Sequence, residues 1–211
     1  MFRIYFTFFV FISFFLLLAC DNPEEKDVPV NYSPRVLDGQ KPIVPVPKDG
    51  SFFGKISFEK DNKIHILMPD STEIIGEQSN PTTRKYHLAQ DTFLIFVIKN
   101  VEKGFQILSN DKKVLWLVSL QDNKIAVLQK GMSKNQFEVL IQKKNLSLRQ
   151  NGSEVGKVVL EGEKAIFYKK DKELFSVQTD KMLPAFGVLL IDEMGIEEKY
   201  AIFAEAVARG Y

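Results

Sequence analysis

Residues 51–178 alternate between short apolar-rich runs and turn-forming residues, and no other feature of the chain constrains its fold as tightly. Twelve runs stand out, at 52–58, 63–68, 84–88, 92–99, 105–108, 114–120, 124–129, 137–142, 146–149, 155–160, 165–168 and 174–177. Between them lie turn signals such as Asp61-Asn62, Pro69-Asp70, Asn110-Asp111, Asp122-Asn123, Asn151-Gly152 and Gly162. Asn-Gly between two alternating runs marks a hairpin, because both central residues of the favoured turn need positive φ. Runs such as Lys164-Ala165-Ile166-Phe167-Tyr168-Lys169 are β-branched and aromatic enough to fit a pleated, half-buried surface. About a dozen such strands bury one face only by curling or stacking. The expectation is a mainly β fold, an antiparallel barrel of about twelve strands around a hydrophobic helix. The alternative is a β-sandwich with packed C-terminal helices. The only cysteine, Cys20, lies outside this stretch, so the core alone must hold it together.

The texture changes after Gln178. Leu183-Pro184-Ala185-Phe186-Gly187-Val188-Leu189-Leu190-Ile191 has no polar face, and Asp192-Glu193 ends it. Pro184 suits a first helical turn, and a helix apolar all round must be buried all round. One more buried strand is the other reading of so short a run. Further on, Ile196, Tyr200, Phe203 and Val207 recur at helical spacing, with Glu197, Glu198, Lys199 and Glu205 largely away from them. This predicts an amphipathic helix ending near Gly210.

The order of these elements resembles the tubby C-terminal and LURP-one-like superfamily. The residues that carry the likeness are Pro184-Ala185-Phe186-Gly187-Val188-Leu189-Leu190-Ile191-Asp192-Glu193-Met194 and the hairpin from Leu146 to Val158. The resemblance spans residues 51–207 and implies a β-barrel wrapped around an apolar C-terminal helix. The second, amphipathic helix departs from the simplest family pattern. The tubby branch binds phosphoinositides through basic residues, and no matching signature stands here.

The N-terminus speaks of location. An apolar stretch from Ile4 to Leu18, headed by Arg3, runs into Leu17-Leu18-Ala19-Cys20. It resembles a bacterial lipoprotein signal peptide ending in a lipobox, with a cationic head, an apolar core and small residues at the cleavage site. The resemblance implies cleavage between Ala19 and Cys20 and acylation of Cys20, which would hold the protein to a membrane by acyl chains. An uncleaved anchor and an unmodified thiol are the competing readings. The apolar run is shorter than the ~20 residues of a span, and Cys20 sits at a polar boundary. Six of the nine prolines fall between Asp21 and Lys48. Residues 20–50 therefore read as a lipidated N-terminus and semi-rigid tether between the signal peptide, 1–19, and the β-rich domain, 51–211. Docking of Ile43, Val44 and Val46 as an edge segment is an equal alternative. The expected location is the bacterial cell envelope. Asp21 favours inner-membrane retention in some sorting systems, and both membranes stay open.

From Ser51 onward 23 Lys and Arg face 21 Asp and Glu, a net of +2. That balance argues against nucleic acid as a partner. The basic runs Lys112-Lys113, Lys143-Lys144 and Lys169-Lys170 read as solvated turns. The two histidines, His65 and His87, sit inside strand runs. His65 has only Asp61 and Asp70 as nearby acids in sequence, which falls short of a metal-ligand spacing. There is no Gly-x-Ser-x-Gly elbow and no phosphate-cradling glycine loop, though a triad can assemble across a fold. Asp192-Glu193 and Glu197-Glu198 are accounted for by a helix end and a helix start. Phe93, Phe96, Phe105, Phe137, Phe167, Phe175, Phe186, Phe203 and Trp116 read as core. No cofactor is expected. Three functions follow in order: a non-enzymatic binding or structural role, a carrier or sensor of a lipid-like ligand, and an envelope hydrolase. The second requires an interior that the C-terminal helix leaves hollow.

Overall fold

Turn chemistry sets the strand boundaries. The computed structural model describes strand Pro45–Pro47 and residues 54–59, 61–132 and 136–211. Its strands are β1 (Pro45–Pro47), β2 (Lys55–Phe58), β3 (Ile64–Leu67), β4 (Glu73–Asn80), β5 (Thr83–Leu88), β6 (Leu94–Val101) and β7 (Gly104–Ser109). They continue as β8 (Val114–Gln121), β9 (Lys124–Gln129), β10 (Gln136–Gln142), β11 (Asn145–Gln150), β12 (Ser153–Glu161), β13 (Lys164–Lys169) and β14 (Lys172–Gln178). A 3₁₀ segment (Pro184–Leu190) and helix α1 (Ile196–Ala208) follow. Asn151 and Gly152 take φ of 50° and 86°, and Gln150 pairs with Ser153, the hairpin expected from Asn-Gly. Lys112, Lys143 and Lys170 also take positive φ, which places the short basic runs in turns.

The strands form one antiparallel sheet of fourteen, each from β2 to β14 bonded to the next, with β1 added beside β14. Mainly β with a C-terminal helix is therefore the fold. Among the described residues β1 and β2 are its two edges and do not pair with each other, so hydrogen bonds do not close it into a barrel. The edge docking expected near Val46 holds for Pro45–Pro47, while Cys20 and the tether before it lie outside the described residues.

Every strand from β2 to β14 sends alternate side chains to one face, and those side chains share a single core with the C-terminal segment. A spine of rings joins wall to filling: Phe175 and Phe167 stack at 4.2 Å, Phe167 meets Phe186 at 5.5 Å, and Phe186 meets Phe203 at 5.8 Å. The sheet's inward face thus gathers round the 3₁₀ segment and α1, which also pack on each other.

Three expectations change. β4 lies where no run was marked, because Glu73–Asn80 offers only Ile74 and Ile75 beside Gly76. Gly76 is what lets Tyr86 pack there, since a Cβ would come within 2.6 Å of its ring. The helix expected within Leu183–Ile191 forms at Pro184–Leu190 with Pro184 at its start, but it winds as 3₁₀ rather than α, with Ala185 to Leu190 all buried. Gly187 sits so close to Val139 that a Cβ would lie 2.4 Å from a methyl carbon, and this tight fit suits the narrower 3₁₀ winding. Finally, α1 is not amphipathic in its setting: all residues from Tyr200 to Ala208 are buried. Four alanines slim it, and Glu205 is taken inside rather than left to water.

Candidate functional site

Cys20 and Ala19, the residues expected to carry lipidation and cleavage, lie outside the described residues. His65 and His87 are on the outward side of the sheet, flanking Ile75 in one cross-strand row. His65 Nδ1 lies 2.9 Å from Glu73, and its Nε2 lies 3.2 Å from Glu59, off the line of a hydrogen bond. His87 contacts the Leu88 carbonyl at 3.1 Å, with Glu77 at 3.6 Å. His65 thus stands between two surface carboxylates, and His87 is held by a backbone carbonyl with one carboxylate nearby. Among the described residues no group of three or more His, Cys, Asp or Glu converges as metal ligands would. Asp70 instead caps the Thr72 N–H at 2.9 Å. The paired acids have partners as well: Lys169 reaches Asp192, Gln150 donates to Glu193 at 2.8 Å, and Trp116 Nε1 donates to Glu198 at 2.7 Å.

The densest set of ionisable groups lies inside the fold, centred on Glu205 of α1. Arg84 and Tyr86 are inward neighbours on β5. They donate to one Glu205 oxygen at 2.7 and 2.9 Å. Arg209, one turn further along the helix, donates to the other oxygen and to the Glu205 carbonyl at 2.8 Å. Its second nitrogen donates to Asn100 at 2.6 Å, and its guanidinium covers the Phe105 ring at 4.4 Å. Arg84 also donates to the Asn62 carbonyl at 3.0 Å, tying in the β2–β3 turn. Burial alone would raise the Glu205 pKa, but the charges of Arg209 and Arg84 outweigh it and hold the carboxyl below its usual value. Burial, with Glu205 beside it, pushes the Tyr86 hydroxyl well above the ordinary tyrosine range.

At 1% exposure Glu205 has no approach for a substrate. The cluster is an ionic lock between helix and sheet, not an acid–base site. Sequence reasoning set Glu205 on a polar helix face and missed it. The available signal was Arg84, an arginine two residues from Tyr86 on the same strand face, matched by Glu205 and Arg209 at i,i+4 spacing.

Two surface features remain. A groove of about 460 Å³ crosses the outward side of β8 and β9, floored by Ser119 and Ala126 and flanked by Leu117, Leu128 and Lys103. The second feature is a set of exposed apolar side chains, Phe93 at 58%, Met132 at 54% and Ile196 at 37%. Phe93 was expected in the core; it stands instead at the tip of the β5–β6 turn. Trp116 is buried as expected. No family model matches this sequence, and no curated protein does.

Proposed function

We propose that the chain is a lipid-anchored protein of a bacterial envelope, held by acyl chains on Cys20, whose β-rich domain has a non-enzymatic binding or structural role exerted through its outer surface. The observation that carries this reading is the filled interior. The 3₁₀ segment and α1 occupy the space that a carrier would leave for its ligand, and the ionic lock on Glu205 fixes them there. The described histidines and paired acids are likewise engaged in surface contacts that need no substrate to explain them. A long meander ahead of an enclosed C-terminal helix supports the likeness to the tubby and LURP-one-like architecture.

Acylation is tested by growing cells with an alkyne fatty acid and analysing the mature N-terminus by mass spectrometry. The expected product begins at an acylated Cys20, and Cys20→Ser leaves an unlabelled, unprocessed precursor. A mature chain that begins elsewhere or carries no lipid would sink the anchor. The non-enzymatic reading is tested by activity-based serine-hydrolase probes on the purified protein, which should leave it unlabelled.

A further inference from the structure

The antiparallel order of the strands divides the turns between two rims. The turns after β3, β5, β7, β9, β11 and β13 share one rim, and α1 begins there, because Glu198 in its first turn bonds Trp116 near the start of β8. Its last turn reaches the other rim, where Arg209 bonds Asn100 near the end of β6. Phe93 is in the turn after β5, Met132 in the turn after β9, and Ile196 opens α1. All three large apolar side chains exposed among the described residues therefore fall on the same rim. They also share one sector of it, since the first turn of α1 lies beside β8, between the turns that carry Phe93 and Met132.

The Phe93 turn is built to hold its ring outward. Asp91 caps the Phe93 N–H at 2.9 Å, the Phe93 carbonyl accepts from Leu88 at 3.0 Å, and the Thr92 N–H returns to the Leu88 carbonyl at 3.2 Å. This closure holds Thr92, a β-branched residue, at φ 57°, in the left-handed region that such residues avoid. Strain of this kind persists only where the surroundings enforce it. Between Phe93 and Met132 stand Lys112 and Lys113, and Lys130 precedes Met132. Lys113 pairs with Asp111 at 2.7 Å, and with Asp91 and Glu197 the acids of this sector balance its three lysines. Glu193 is held by Gln150 at the end of β11, beside the turn that carries Met132, Asp192 is held by Lys169 one turn further round, and Glu197 is the exposed acid beside Ile196.

Exposed apolar tips interleaved with lysines match a lipid surface, whose headgroups meet the cations while its acyl region takes the side chains. We infer that this rim is a bilayer-contact surface that sets the orientation of the domain on the membrane. The inference rests on the proposed membrane location. An anchor already present leaves the rim only the task of orienting, for which weak partition suffices. The chain has the reach: 24 residues separate Cys20 from Pro45, and each spans up to ~3.3–3.6 Å. The eight-residue strand β4 is about 27 Å tall at ~3.4 Å per residue, so the connection can pass the wall from the opposite rim, where β1 begins.

The test uses the chain from residue 20 onward with Cys20→Ser, which keeps every described residue and has no acyl group. It is sedimented at millimolar lipid with vesicles of phosphatidylcholine, alone or mixed with phosphatidylglycerol. We expect binding to both to a similar extent, because the apolar tips rather than a net charge carry the contact. Combined Phe93→Asp and Met132→Asp should weaken it at least about tenfold, the effect of losing two buried apolar side chains. Asn123→Asp, on the opposite rim, should leave it unchanged. Phe93→Trp should bind and shift its emission to the blue on adding vesicles, against a constant background from buried Trp116. Failure to bind either vesicle, undiminished binding by the double variant, or no spectral shift would each overturn the inference. Because this protein carries no lipid, these outcomes are independent of whether Cys20 is acylated in cells, so the rim and the anchor fail separately.

Discussion

Replacing Glu205 with Gln tests whether the ionic lock holds the helix inside the sheet. The side chain keeps its shape, and its carbonyl oxygen can still accept from Arg84 and Tyr86. Its amide nitrogen would then face Arg209, donor against donor, and the charge that balances two guanidiniums would be gone. Arg84 and Glu205 are 6% and 1% exposed, so water offers little compensation. Removing one partner of a buried pair costs about 3–5 kcal/mol, against a total stability of about 5–15 kcal/mol for a domain. At ~2–4 °C per kcal/mol for a domain of this size, the thermal midpoint should fall by about 6–20 °C. Circular-dichroism melts and urea titration of the signal-free protein would read both quantities. The sign with pH is fixed as well. A carboxyl whose pKa is depressed by folding adds stability that is complete above its unfolded value, near ~4.3, and is lost as pH falls through the lower folded value. The gap between wild type and Glu205→Gln should therefore be constant from neutral pH to about 5 and shrink below ~4. A variant within about 0.5 kcal/mol of wild type at pH 7, the range of ordinary surface changes, would refute the lock.

Three further outcomes follow from the packing. Gly187→Ala places a Cβ 2.4 Å from Val139 and should cost about 1–3 kcal/mol by denaturant titration, with part restored by Val139→Ala. Ending the chain at Thr179 removes the 3₁₀ segment and α1 from the core; the product should aggregate in size-exclusion chromatography, and a monomer with a near-native melt would contradict the enclosed-filling architecture. Combined Pro45→Val and Pro47→Val would give the outward edge of β1 two N–H donors where proline has none, and sedimentation should detect new self-association.

Strand content was legible because it rests on a period of two and on turn residues, both of which are local. The 153–169 hairpins and the basic turns at Lys112, Lys143 and Lys170 needed nothing else. What stayed hidden depends on partners far along the chain. β4 reads as polar because Gly76 is shaped by Tyr86 across the sheet, and only the packed ring explains the glycine. Phe93 looked like its fellow phenylalanines because composition cannot distinguish a ring on a strand from one at a turn tip two residues after Asp91. Glu205 misled most, since a glutamate on a helix with apolar spacing marks a wet face unless a cation meets it inside.

The location of Arg84 is the point on which that last reading turns. An inward arginine on a central strand is costly by itself, and so is a glutamate on an enclosed helix; each becomes tolerable only when the other is present. Their separation of 121 residues means that Arg84 cannot meet Glu205 until the wall has formed and α1 has entered it, whereas Arg209 can meet it within the helix. The pair therefore couples correct register of β5 to correct seating of the helix. A helix slipped by one turn would offer Ala201 to Arg84, leaving the Arg84 guanidinium buried without a carboxylate while Arg209 travels with Glu205. The same slip would bring Tyr200 to the place of Ala204 and Phe203 to that of Val207, so the packing of the rings opposes it as well. The charge cluster thus reinforces the register that the buried rings of α1 already favour, because a slipped helix leaves Arg84 without its carboxylate.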